Sequence, residues 1–526
     1  MTAQKLSLKT VAFPLALRVA LVTVVLVVVA LVAELADSDA LSPDPSAVSP
    51  DAGRTPRAAQ LTVSSQTLGP PLAPGFVGLS IEFPALRAYA GADPRAVNPV
   101  LEQLIRNLAP GQRPVLRIGG DSTDSTWWPA PGVPRPSGVS YGLTSAWLAG
   151  LRALARDLRA RLIVGANLAI NRPSLTVAEA RALIAGLGRE TLQALELGNE
   201  PDNYAELPWY RTQGRGVYAR RGEYGFASFT REFSQLRRRL PAVPLAGPTV
   251  GSYGWLRHLR GFLAAEPTLS LVTFHRYPLN RCFTEPGSPT YPTVPNLLSP
   301  AASAGLVAGI APYAALARRR GLTFRVDELN SVACGGKTGV SNTFASALWV
   351  LDTLFETAKA GADGVNIHTF PGAAYAPFSF VQARRRWSAA VRPEYYGLLM
   401  FARAAPPGSQ LLRLAGTQPH GFKAWATLTP THTIQVLLIN KNMTHPIFVS
   451  VRLPGAQAPA ILQRLQAASA HATAGITIAG QSFATPTYTG LPSGRRRETT
   501  VSPASNRYTL SLGQASAALL TIPAGG

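Results

Sequence analysis

Eight short apolar runs, at 76–83, 115–120, 161–168, 194–200, 244–250, 271–278, 324–330 and 364–370, alternate with amphipathic stretches such as 146–159, 177–187, 226–240 and 342–360. Apolar runs of that length, separated by helical periodicity, read as parallel strands buried on both faces. Eight of them are the number that closes a (β/α)8 TIM barrel. A barrel gathers the C-terminal ends of its strands at one mouth. Glu82, Asp121, Asn199, Glu200, His275, Tyr277, Glu328 and His368 all fall at such ends, where TIM barrels carry their chemistry.

Two of these residues have the layout of a retaining glycoside hydrolase. Glu200 ends the fourth run, in Ala-Leu-Glu-Leu-Gly-Asn-Glu-Pro, and Glu328 lies near the end of the seventh, in Phe-Arg-Val-Asp-Glu-Leu-Asn. Strands four and seven face each other across a barrel, so the two carboxyls can approach the about 5–5.5 Å that double displacement requires. One carboxyl must keep a proton for the leaving oxygen while the other stays ionised. Tyr277, ending the sixth run beside the seventh, is placed to donate to Glu328, and His275 supports the same corner. Asn199 is placed to meet a sugar 2-hydroxyl. Trp127 and Trp128, after the second strand, either stack on a sugar or pack beneath their loop.

From about Met400 the pattern changes to period-2 strands at 423–428, 433–440, 447–453, 476–478, 508–512 and 517–522, an antiparallel β-sandwich. The alternating piece 60–64 is expected to pair into it. Upstream, Lys5, Lys9 and Arg18 precede 19–33, which is apolar except for Thr23, and a Ser/Pro/Ala/Asp-rich stretch follows. The expected organisation is a signal peptide or membrane anchor over 1–36, a linker over 37–58, the barrel over 59–395 and the sandwich over 396–526. Export, to the periplasm, the medium or the outer face of a membrane, follows from that leader.

The formal charge of +22 is unevenly spread: 35 basic residues meet 22 acidic ones over 59–395, and 10 meet 1 over 396–526. No basic block or base-reading motif accompanies it, so no nucleic-acid partner is expected. A distributed positive field suits an anionic glycan. The two cysteines, Cys282 and Cys334, cannot build a metal centre, and no cofactor is expected. They sit in the loops after adjacent strands six and seven, where an exported protein can join them as a disulfide.

The segments Leu-Glu-Leu-Gly-Asn-Glu-Pro (195–201), Thr-Phe-His-Arg-Tyr-Pro (273–278), Val-Asp-Glu-Leu-Asn-Ser-Val-Ala-Cys-Gly-Gly (326–336) and Val-Ser-Asn-Thr-Phe-Ala-Ser-Ala-Leu-Trp-Val-Leu-Asp (340–352) resemble glycoside hydrolase family 79, the family of heparanase and microbial β-glucuronidases, from about residue 60 to the C-terminus. The resemblance implies Glu200 as acid/base and Glu328 as nucleophile. It implies a uronate carboxylate held by the backbone of Cys334 and Gly335 and by Tyr375. Glu82 and Asp121 match acidic positions that bind hydroxyls of the nonreducing sugar in bacterial members, the type this chain resembles. Two positions depart from the pattern: Ala333 replaces an aromatic residue of heparanase-like members, and Cys334 replaces the first glycine of the turn. The expected function is an exo-acting β-glucuronidase on uronic-acid-containing glycans. A neutral-sugar β-glycosidase and a catalytically silent glycan-binding surface protein are the alternatives.

Overall fold

The structure, a computed structural model, describes residues 58–523. The expected leader and most of the expected linker lie outside the described residues. All eight barrel strands form: β1 (Val77–Ile81), β2 (Val115–Ile118), β3 (Arg161–Ala166), β4 (Leu192–Leu197), β5 (Leu245–Val250), β6 (Leu269–Arg276), β7 (Thr323–Leu329) and β8 (Gly364–Thr369). They close in parallel, with β8 returning to β1 so that Val365 lies opposite Val77 and Thr369 opposite Ile81. Closure removes the sheet edges that an open array would expose. Every residue of β1, β2, β5 and β8 is buried, as the continuous apolar runs require.

Side chains alternate faces along a strand, and this decides what fills the barrel. Val115, Ile163, Ala194, Ala246 and Leu271 form an apolar plug at the base. Two residues further along β2 and β4, on the same face, stand Arg117 and Glu196, both fully buried. Asp327 from β7 meets them there. The interior is therefore apolar below and ionic toward the mouth.

The connecting helices begin where the sequence supplies caps. Asn98 accepts from the N–H groups of Val100 and Leu101 to start Pro99–Leu108, and Thr144 accepts from Trp147 N to start Ser145–Leu158. Helix Phe344–Lys359 is buried on every side through Thr357, because it lies between the barrel and the second domain. Its Asp352 receives Lys441 Nζ at 2.5 Å, Ser303 Oγ at 2.6 Å and Trp425 Nε1 at 3.0 Å, which ties that helix to the C-terminal sheet.

That sheet runs in the order Thr477–Ile478, Ala460–Gln466, Ser516–Pro523, Thr433–Asn440, Phe422–Leu428, Gln410–Thr417, Ala58–Leu68, Ile447–Arg452 and Arg507–Leu512, with Thr499–Val501 beside Ala460–Gln466. Leu61, Val436, Val449, Leu462, Leu510 and Leu520 share one core, so strands from both ends of the order close over it. As expected for 60–64, strand Ala58–Leu68 pairs into this domain, so the barrel starts at β1 rather than at 59. One expectation is corrected, since the strand runs parallel to Ile447–Arg452 in an otherwise antiparallel sheet. The long way from residue 68 to residue 447 leaves room for that crossover, whereas adjacent segments must turn back as hairpins.

Candidate active site

A cleft of about 720 Å³ opens at the barrel mouth, with Glu200 and Glu328 among its lining residues. Glu200 stands three residues beyond β4, not at its end, because Gly198 (φ 84°) turns the chain where a side chain would strike Tyr204 and Leu168. Glu200 itself takes a left-handed conformation (φ 46°) immediately before Pro201, a position from which right-handed helix is disfavoured. Its Oε1 lies 3.0 Å from His275 Nδ1, and its Oε2 accepts from Asn203 Nδ2 at 2.7 Å. Glu328 is the penultimate residue of β7. Its Oε1 accepts from the Tyr277 hydroxyl at 2.8 Å and its Oε2 from Arg117 Nη1 at 2.6 Å. Ligating atoms of Glu200, His275 and Glu328 all lie within 4.8 Å of one another. Such a trio could surround a cation, but Glu328 already has a donor on each oxygen.

The environment favours the ionised form of Glu328. Burial disfavours charge on Glu328, yet His368, His275, Arg117 and the Tyr277 hydroxyl outweigh it and hold this carboxyl well below the usual range. Arg117 is the hub: it reaches Glu196 at 2.7 Å, Asp327 at 3.2 Å and Asn199 Oδ1 at 3.0 Å as well as Glu328. Burial, then the charge of Glu196, raises the Asp327 carboxyl far above the ordinary range. His275 joins this group to the other glutamate, with Nε2 3.6 Å from Asp327 Oδ1 and 3.2 Å from Thr249 Oγ1. Burial and Arg117 work against charge on His275, but Glu328, Glu200 and Asp327 prevail and move it up to about 9.

The remaining expected residues converge on the same cleft. Glu82 accepts the N–H groups of Asp121 (3.1 Å) and Ser122 (2.9 Å) and lies 3.2 Å from His368 Nε2. It thus caps the turn after β2 while one edge faces the cavity. Asp121 is open to the cavity, but surrounding protein strips its solvation first, and the charges of Glu82, Glu200 and Glu328 add to this, moving its carboxyl up to about 7. Asn199 points its amide nitrogen at Asp121 Oδ1, 3.4 Å away.

Cys334, Gly335 and Gly336 have φ of 66°, 83° and 82°, three left-handed residues in a row. Gly336 donates to Val332 O at 3.1 Å, and a Cβ on it would stand 2.8 Å from Tyr375 N, so only glycine fits. Tyr375 is 2% exposed and lines the cavity beside this turn. Cys282 and Cys334 are joined, with Cα atoms 6.4 Å apart, and Ala333 also lines the cleft.

Of the two readings of Trp127, packing holds: it is buried with Val139, Ile170 and Leu175, and neither it nor Trp128 lines the cleft. Sequence reading missed Arg117, Glu196, Asp327, Asp202 and Asn203. The available signal was a charged residue at an inward position of an otherwise apolar strand, as in Val-Leu-Arg-Ile (115–118). A larger groove, about 990 Å³, lies by the helix Ser145–Leu158, lined by Arg95, Arg113, Arg152, Arg156 and Arg159, but it holds no paired carboxyls.

Comparison with known proteins agrees with this geometry. Residues 424–519 match the glycosyl hydrolase family 79 C-terminal beta domain. A curated β-glucuronidase of Neurospora crassa is 27% identical over 384 residues, covering 67% of each chain. Among solved structures, a 4-O-α-L-rhamnosyl-β-D-glucuronidase from Fusarium oxysporum 12S shares the fold with a TM-score of 0.68 and 20% identity, over 88% of this chain and all of that one. The GH51 arabinofuranosidase of Xanthomonas axonopodis pv. citri shares it at 0.60 and 13%, over 89% and 100%.

Proposed function

We propose that this chain, which belongs to glycoside hydrolase family 79, is an exo-acting, retaining β-glucuronidase. The carrying observation is the carboxyl pair: oxygens of Glu200 and Glu328 lie within 4.8 Å, close to the about 5–5.5 Å of retaining enzymes and short of the about 6.5–9.5 Å that inversion needs. Glu328, held ionised, attacks the anomeric carbon as Glu200 gives its proton to the leaving oxygen. The result is a glycosyl ester on Glu328. Glu200, now a carboxylate, takes a proton from water, which attacks the same carbon and releases sugar of unchanged configuration. Tyr277 and Arg117 hold the nucleophile's two oxygens apart from that proton traffic.

Selection of glucuronate is supported by the backbone of Cys334 and Gly335 and by Tyr375, whose N–H groups and hydroxyl suit a carboxylate without a dedicated arginine. A neutral hexose leaves those donors unpaired, a costly mismatch in a closed site. The names of the Neurospora and Fusarium proteins point to the same glycone. The basic balance of residues 59–526 favours an anionic substrate. For the apolar segment 19–33 we propose export, by a cleaved signal or by retention as an anchor on the outer membrane face. The test compares kcat/KM on matched aryl β-glucuronide and aryl β-glucoside. A clear preference for the glucuronide is expected, and equal or better turnover of the glucoside refutes the uronate reading.

A further inference from the structure

We infer that Phe283 forms a leaving-group subsite that takes a sugar or aryl ring by stacking. Six large apolar side chains are exposed among the described residues, and Phe283, 66% exposed, is the most open of them. It alone of the six lines the catalytic cleft. A single exposed apolar side chain is ordinary on a protein surface, so what sets Phe283 apart is its place in the lining of the catalytic cleft.

The backbone that carries the ring is held in place. Asn280 Oδ1 accepts from the N–H groups of Cys282 at 2.8 Å and Phe283 at 3.0 Å, while Thr284 Oγ1 donates to Asn280 O. Cys282 is bonded to Cys334, and Arg281 Nη1 donates to Gly336 O at 2.9 Å. The loop after β6 is therefore pinned on two sides to the turn after β7. A fixed backbone lowers the ordering cost of any ring that docks on it.

Its place in the cleft says what docks. Glu82, His368 and Tyr375 cluster on the Glu328 side of the cleft, and the proposed glycone lies against them. The scissile oxygen meets Glu200, and in an exo-acting site whatever follows that oxygen leads outward. A side chain as open as Phe283 belongs to that outer part. The cleft's 720 Å³ falls among pockets that enclose ligands larger than one pyranose ring. A pyranose or aryl face laid on Phe283 excludes water from both, and its contribution is felt before and during bond cleavage.

The inference rests on the cleft being a glycosidase site, not on its glycone being glucuronate. The test uses the glycone that wild-type enzyme cleaves best, carried on a methyl aglycone or on a second sugar, two alkoxide leaving groups that differ in having a ring. Expected is a drop of about tenfold in kcat/KM on the disaccharide for Phe283→Ala relative to its effect on the methyl glycoside, with Phe283→Tyr restoring the wild-type ratio. An equal effect on both substrates, or none on either, overturns the subsite.

Discussion

Arg117 Nη1 lies 2.6 Å from Glu328 Oε2, with the arginine wholly closed to solvent and the glutamate 8% exposed. A guanidinium can hold several partners at fixed angles, and this one also engages Glu196, Asp327 and Asn199. An ammonium cannot reproduce that fork. Arg117→Lys is expected to lower kcat about 100-fold, the scale of losing one preorganised electrostatic contact. Lysine keeps a positive charge but not the close contact, so the hold of residue 117 on the Glu328 carboxyl weakens and that carboxyl rises toward its ordinary range. The acidic limb of the kcat/KM profile then moves to higher pH. Thermal melting checks that the fold survives, since breaking a buried pair costs about 3–5 kcal/mol.

Asp121 gives a second pH signature. Its carboxyl is moved up to about 7, first by loss of solvation and then by three neighbouring carboxylates. It is therefore largely neutral below pH 7 and charged above, where it repels an anionic glycone. KM for an aryl glucuronide is expected to rise through neutral pH in wild type. Asp121→Asn, neutral throughout, should match wild type at pH 5 and show a flat KM above pH 7. A rise of equal size in the variant rejects this role.

The barrel was almost wholly legible because each strand is an apolar run closed by glycine, proline or a polar mouth residue. Glu200 and Glu328 stood out for the same reason. What the sequence hid depends on partners from other strands. Arg117 in Val-Leu-Arg-Ile reads only as a charged residue in an apolar run until β4 and β7 bring Glu196 and Asp327 against it. The hairpin Phe378–Ala383 and Arg386–Val391 was invisible because its turn is made by Arg384 (φ 48°) and Arg385 (φ 64°), where asparagine and glycine are the usual signal. Trp127 beside Trp128 gave no indication of which way the ring faces, and packing against Ile170 and Leu175 settles it.

Removing the bridge between Cys282 and Cys334, which spans 52 residues, should lower stability by about 2–4 kcal/mol. Cys282→Ser makes the cleaner variant, since Cys334 also shapes the carboxylate turn. Besides the lower melting temperature, KM for the glucuronide is expected to rise several-fold while kcat changes less, as the turn loses its brace. Unchanged melting contradicts the bridge.

Tyr375→Phe deletes one hydroxyl beside the Cys334–Gly336 turn. If that hydroxyl binds the uronate carboxylate, kcat/KM on aryl glucuronide falls about 10- to 100-fold, in line with a charge-assisted hydrogen bond, and any residual glucoside turnover is spared. Parallel losses on both substrates would assign Tyr375 to general packing instead.

The most direct measurement is the configuration of the first sugar released from an aryl β-glucuronide, followed by proton NMR before mutarotation. With oxygens of Glu200 and Glu328 within 4.8 Å, double displacement predicts that the β-anomer appears first and the α-anomer grows in only as the two equilibrate. An α-anomer appearing first would mean single displacement by water and would contradict the roles given to both glutamates.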